Sequence, residues 1–231
     1  MREFLQGSIY FGLVLTLIIF YLGHWLQKKT GWVWLNPILF STVAIIAILI
    51  AGKIPYQAYA KGGSMIHMLL TPATVCFAVP LYRQVQLLKR HFRAIMTAIV
   101  GGTVACLSLI SVICLIFAIE QGISASVMPK SVTTAIAIGI AEENGGIAAL
   151  AVASVIITGI MGVVLANGIF KLLKIKEPIA RGLALGVSAH ALGTSKALEM
   201  GEVEAAMSSL ALIITGMLTV VAAPLVLQLL F

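Results

Sequence analysis

Long charge-free apolar runs alternate with short polar loops along this chain, and the alternation predicts its elements. About 20 apolar residues suffice for a helix to cross a bilayer. Runs of that order cover 4–27, 30–52, 62–82, 94–119, 145–170 and 205–231. Two further segments break the pattern. Residues 121–141 carry Pro129 and Lys130 inside an apolar stretch, and Gly182 to Ser195 spans only 14 residues, too few to cross. Interrupted backbone at membrane depth is tolerated only where protein buries it or a wet cavity meets it. The pattern therefore predicts an all-α polytopic membrane protein with about six full spans and two broken, re-entrant segments, in a single integral domain over 1–231. An eight-span count stays open.

Charge sets the orientation. Ten of the 15 Lys and Arg residues fall in three loops, at 28–29, 83–93 and 171–181. Short basic loops face the cytoplasm. All three do so only if 121–141 enters and leaves on the outer face, while 182–196 dips in from the cytoplasmic face. Two broken elements that enter from opposite faces and meet near the midplane are a recurring device of secondary transporters. An inverted repeat is possible. Leu70-Thr-Pro-Ala-Thr-Val75 with Gly101-Gly102 loosely echoes Val127-Met-Pro-Lys-Ser-Val132 with Gly145-Gly146.

Composition narrows the class. Mean hydropathy is +1.10, with 61% hydrophobic and only 10% charged residues, against about 25% charged in soluble domains. The runs are long and continuous, unlike the short alternating segments of a membrane barrel. A net charge of +7 does not indicate nucleic acid, because the basic residues sit where topology puts them. Cys76, Cys106 and Cys114 lie singly in apolar runs and give no disulfide framework. No metal-ligand spacing, phosphate loop or nucleophile–base set occurs, so neither a cofactor nor an enzyme is expected. The setting is a membrane, crossed several times.

Candidate chemistry gathers at the two breaks. In Pro129-Lys-Ser-Val-Thr-Thr134, proline suits a first helical turn. Ser131, Thr133 and Thr134 supply hydroxyls, and Lys130 adds charge where free N–H groups at a helix start attract anions. These parts suit a carboxylate. The competing reading has Lys130 reaching to the interface and the hydroxyls bonding backbone carbonyls. In Gly186-Val-Ser-Ala-His-Ala-Leu-Gly-Thr-Ser-Lys196, the candidates are Ser188, His190, Gly193 and Thr194. His190 titrates near neutrality when unperturbed, and so is suited to bind substrate or carry a proton. Its alternative is a neutral core histidine bonded to a carbonyl. Asn36 and Thr74, each beside a proline, are weaker candidates for the same cavity.

These motifs carry a resemblance. Leu35-Asn-Pro37, Thr71-Pro-Ala-Thr74 running to Ala78-Val-Pro-Leu-Tyr82, the 129–134 and 188–194 segments, and Ala180-Arg-Gly-Leu-Ala-Leu-Gly186 together resemble the LrgB/CidB family of bacterial membrane proteins. The Pro129-Lys130 form looks closer to the CidB-like branch. The resemblance extends to the membrane domain of the plastid glycolate/glycerate translocator. It implies a secondary carrier for small monocarboxylates such as glycolate, glycerate or pyruvate, with the proton as a candidate coupling ion. It also implies an alternative, a holin- or antiholin-like regulator of murein hydrolase activity and cell lysis that works with a small LrgA/CidA-type membrane partner. A homo-oligomer is expected in either case.

Overall fold

A computed structural model describes residues 10–30, 37–69, 72, 75, 76 and 78–231. Its named elements are all helices: α1 Tyr10–Thr30, α2 Pro37–Gly52, α3 Tyr56–His67, α4 Ala78–Arg83, α5 Val85–Arg90, α6 Phe92–Ile116, α7 Gln121–Val127, α8 Thr134–Glu143, α9 Ala148–Leu172, α10 Pro178–Met200 and α11 Glu202–Leu230. Four of them, α1, α6, α9 and α11, are long and apolar enough to cross a membrane. The protein is an all-α polytopic membrane protein.

The expected run 62–82 is not one helix. α3 ends at His67 with a turn at Met68–Leu69, and α4 covers Ala78–Arg83. Pro72 and Pro80 fall in this stretch, and proline removes a helix hydrogen bond and clashes with the preceding turn. The run 30–52 yields the 16-residue α2, with 31–36 outside the described residues.

The chain divides into two compact units, Met1–Cys76 and Phe77–Phe231. In the first, α1 packs on α3 through Gly12, whose Cα lies so near the Tyr59 carbonyl that a Cβ would collide with it. The Thr16 and Tyr59 hydroxyls, 2.9 Å apart, pin the same contact. Gly23 gives α2 the same close approach at Pro37 and Phe40.

The second unit is built on α6, α9 and α11, with two folded-back hairpins between them. The first hairpin is α7 and α8. Gly122 faces the Gly145 carbonyl, and Ser126 sits against Gly146 and accepts the Ile147 N–H at 2.7 Å. Its arms are therefore antiparallel, and both ends lie at the α6 C-terminal end. The second hairpin lies within α10, which is not straight. His190 has φ 44° and ψ −132°, a non-helical conformation that breaks the element. Gly193 then packs against the Leu185 carbonyl and the Ala189 Cβ. Residues eight apart in a straight helix would stand about 12 Å apart along its axis, so the arm 191–200 doubles back on the arm 178–189.

The first arm of α10 runs parallel to α11. Gly182 meets Glu204, and Gly186, one turn on, meets Ser208. It is parallel to α6 as well, because His91 and Glu177 border one groove and Gly102 approaches Val187 farther along. Ile95, Ile99, Leu183, Val187, Met207 and Ala211 form the core of this end. Leu107, Ile110, Met128, Ile140 and Leu227 form that of the other. The basic residues at 89–93 and 171–181 thus share one end, and α7–α8 opens at the opposite one.

A repeat is visible in this layout. A 25-residue span, α6, is followed by a hairpin from its far end; a second 25-residue span, α9, runs the other way and is followed by a hairpin from the opposite end. The inverted pair is thus 92–143 with 148–200. The sequence echo pointed instead to Leu70-Thr-Pro-Ala-Thr-Val75, of which 70, 71, 73 and 74 lie outside the described residues.

If both segments are hairpins, Glu142 and Lys174 lie at opposite membrane faces. With the three cysteines replaced, Glu142→Cys should react with an impermeant maleimide in whole cells, and Lys174→Cys only after permeabilisation. Equal labelling of both in whole cells would mean that 121–143 crosses the membrane.

Candidate functional site

The two hairpin tips converge on α9. Between α7 and α8 the chain leaves helical geometry over 128–133. Val132 from this tip is buried with Ala137, Ala141, Ala151 and Val155. From the other side, His190 places its ring Nε2 3.0 Å from the Val155 carbonyl oxygen. Both tips therefore touch the same turn of α9. Lys130, two residues before Val132 at this tip, donates its Nζ to the Ser131 hydroxyl at 3.2 Å.

His190 is the strained point of the site. A positive φ is rare outside glycine, and backbone held in such a region costs about 1–3 kcal/mol. The surroundings hold it there. Thr194, fully buried, donates its hydroxyl to the His190 carbonyl at 3.0 Å and lies 2.9 Å from the Ser208 hydroxyl of α11. Gly159 lets the ring lie flush on α9, since a Cβ there would stand 2.7 Å from Nε2.

A carbonyl can only accept, so Nε2 carries the hydrogen of the Val155 bond. In the neutral ring Nδ1 is then a bare acceptor. It is buried and, among the described residues, the one buried side-chain nitrogen or oxygen without a partner. Such a group calls for an explanation, whether an unseen ligand or a functional role.

The helix starts point the same way. α8 begins at Thr134 with Thr133 as its cap residue, and no side chain caps it. Its first N–H groups and the dipole behind them face the 128–133 break, the arrangement that attracts anions. Lys130 and buried Ser131 stand at this break.

Lys130, Ser131, Thr133 and Thr134 flank Val132 at one tip, and His190 lies at the other, where both tips meet one turn of α9. Gly193 and Thr194 belong to the hairpin's own packing instead. Ser188 does not join the cluster. It is exposed, donates to the Ala184 carbonyl at 2.6 Å, and lines the groove beside α6. Asn36 and Thr74 lie outside the described residues. Asn167 sits exposed on the rim of a pocket among basic residues.

The LrgB-like family matches residues 16–229 of this chain. The chain belongs to that family. It is 38% identical to the antiholin-like protein LrgB of Bacillus subtilis (strain 168) over 223 residues, 96% of each chain. It is 39% identical to the antiholin-like proteins LrgB of Bacillus mycoides (strain KBAB4) and Bacillus cereus (strain B4264), over 93% of this chain and 94% of each relative. No solved structure matches it. These LrgB relatives carry the family name, while the CidB-like placement rests on the Pro129-Lys130 residues alone.

Sequence reasoning missed three residues that frame the site: Val155, whose carbonyl holds His190, Gly159 beneath the ring, and Ser208 behind Thr194. A signal existed for the second, because Gly159-x-x-Gly162 puts two small residues one turn apart on α9. Both meet the α10 hairpin, Gly162 at Ala189.

Gly159→Ala should displace the His190 ring and lower unfolding stability by about 1–3 kcal/mol, the cost of overpacking. Gly168→Ala, with open space around it on the same helix, should change little. Thermal unfolding of the two variants in detergent checks this; equal midpoints would mean that the ring is not seated on α9.

Proposed function

We propose that this LrgB-family protein is an antiholin-like membrane protein that modulates lysis. The near-full-length relatives named antiholin-like support this reading. A small LrgA-type membrane partner would complete the system. Expression in a bacterium lacking its own LrgB protein should reduce autolysis and murein hydrolase activity. Unchanged lysis with folded protein in the membrane would overturn it.

A second reading concerns the device in the membrane, and one observation carries it. Two hairpins from opposite ends bring Val132, from the tip that carries Lys130 and leads into α8, and His190, with its unpartnered Nδ1, to one turn of α9. A pore that works by oligomerising simple spans needs none of this. We infer a secondary carrier for small monocarboxylates such as glycolate, glycerate or pyruvate. The carboxylate would sit against Lys130 and the first N–H groups of α8, with Ser131, Thr133 and Thr134 as further donors. His190 would face the rest of the substrate through Nδ1. Alternating access would then rock the hairpins around a fixed site.

Uptake of labelled glycolate and pyruvate into proteoliposomes of the purified chain tests this. Lys130→Ala should abolish uptake, and Lys130→Arg should leave a partial defect, because a guanidinium keeps the charge but changes geometry. Wild-type uptake in Lys130→Ala would remove the anion site. His190→Gln separates two roles. If His190 only bonds substrate, transport should persist with a raised KM; a tenfold loss is about 1.4 kcal/mol, within reach of one hydrogen bond to a charged group. If it carries the coupling proton, accumulation should vanish while substrate exchange survives.

A further inference from the structure

The loop joining α9 to α10 holds a second site that the carrier reading does not use. α9 closes with a Schellman turn: the Ile175 N–H reaches the Phe170 carbonyl at 2.8 Å and the Lys174 N–H the Lys171 carbonyl at 3.3 Å. Lys174 stands at the left-handed position, φ 55°, where glycine is usual. Arg181, from the first turn of α10, donates Nε to the Ile175 carbonyl at 2.9 Å and lies 5.9 Å over the Phe170 ring. These contacts fix the loop around a pocket of about 270 Å³ lined by Lys171, Lys174, Lys176 and Arg181, with Phe170 and Ile175 as its apolar floor.

The charges in this pocket are uncompensated. Among the described residues none of the four cations is paired with a carboxylate. Glu177, the one acid in the loop, borders the neighbouring groove instead. Arg181 spends Nε on the loop, which leaves its terminal amino groups free to donate. Topology alone asks for basic residues near a span end; it does not ask for a pocket, a locked guanidinium, or a lysine held in a conformation that glycine prefers.

We propose that this pocket binds the phosphate headgroup of an acidic phospholipid. The pocket lies at the end of a membrane-spanning helix, where headgroups are found. Leu172 and Leu173 beside it are 79% and 63% exposed, an apolar strip along which acyl chains can lie. Basic pockets between helices at the cytoplasmic face are known sites for such headgroups, and each nearby cation adds about 1 kcal/mol. A free phosphate would use the cations and leave the leucines without a role. Bound lipid would also act on the hairpin. Arg181 lies at the root of its first arm and Met200, also on the pocket wall, ends the second. Both roots would thereby be held against the end of α9.

The test is the thermal unfolding of the full chain in neutral detergent, titrated with cardiolipin or phosphatidylglycerol and, separately, with phosphatidylcholine. Acidic lipid should raise the midpoint by several degrees, and phosphatidylcholine should not. Lys174→Gly should fold at least as stably as the native chain, because glycine suits the left-handed position. It should nonetheless need about tenfold more lipid for half the effect if the lost cation contributes about 1.4 kcal/mol. Adding Lys171→Ala and Lys176→Ala should abolish the response, while Lys28→Ala with Lys29→Ala, on α1, should leave it intact. The proposal is overturned if phosphatidylcholine or free glycerol phosphate gives the same rise, if the triple variant responds like the native chain, or if the α1 control loses the response.

Discussion

The second unit depends on one constraint: a backbone polar group within the membrane must find its partner inside the protein. Two breaks at membrane depth multiply that demand, and the fold meets it by pressing both against one helix. The Val155 carbonyl holds the His190 ring, the Thr194 hydroxyl takes up the His190 carbonyl, and Ser208 backs Thr194 from α11. Glycines at 159, 182, 186 and 193 make the distances short enough, since a Cβ at any of them would collide with its neighbour. In lipid, close packing and interhelical hydrogen bonds replace the hydrophobic drive between helices. The hairpin of α10 is therefore held by small residues and hydroxyls together with the apolar contacts of Leu183, Leu185 and Val187.

What this tight packing leaves open is informative. Nδ1 of His190 is the buried polar atom for which the described residues provide no partner, and it lies at the meeting of two opposed hairpins near a lysine. Thr194 is engaged by the His190 carbonyl and Ser208, while α8, like the other helices with described caps, starts without a side-chain cap. A buried ring nitrogen without a partner, close to a helix start and a lysine-bearing tip, supplies parts for an anion. This is the link between the fold and the carrier reading of an LrgB-family protein. The loop pocket at 171–181 is a separate arrangement of charge at the end of α9, fixed by its own turn and its own arginine.

Much of this was legible from the chain. The short run Gly182 to Ser195 could not span, and the basic loops required 121–141 to return to its own side; both follow from length and charge alone. The count of spans was less legible. Prolines at 72 and 80 lie in an apolar run, and hydropathy does not register a proline's lost hydrogen bond. The repeat was misplaced because it relates spans and hairpins by shape, while the Pro-Thr-Val echo related residues by type. Backbone partners such as the Val155 carbonyl carry no side-chain signature, so no reading of residue types could find them. Ser188 was grouped with His190 because it is two residues away; on the helical arm before the break, that separation turns it to another face.

The convergence of the two tips is the central claim, and a cross-link tests it most directly. The variant carries Ser131→Cys and Ala191→Cys in a cysteine-free background, with a protease site inserted in the loop after α9. A short bismaleimide is applied in the membrane before cleavage. The account predicts that the fragments 1–172 and 178–231 stay joined on a denaturing gel. Fragments that separate, although both cysteines are modified by the reagent, would show that the hairpins do not meet.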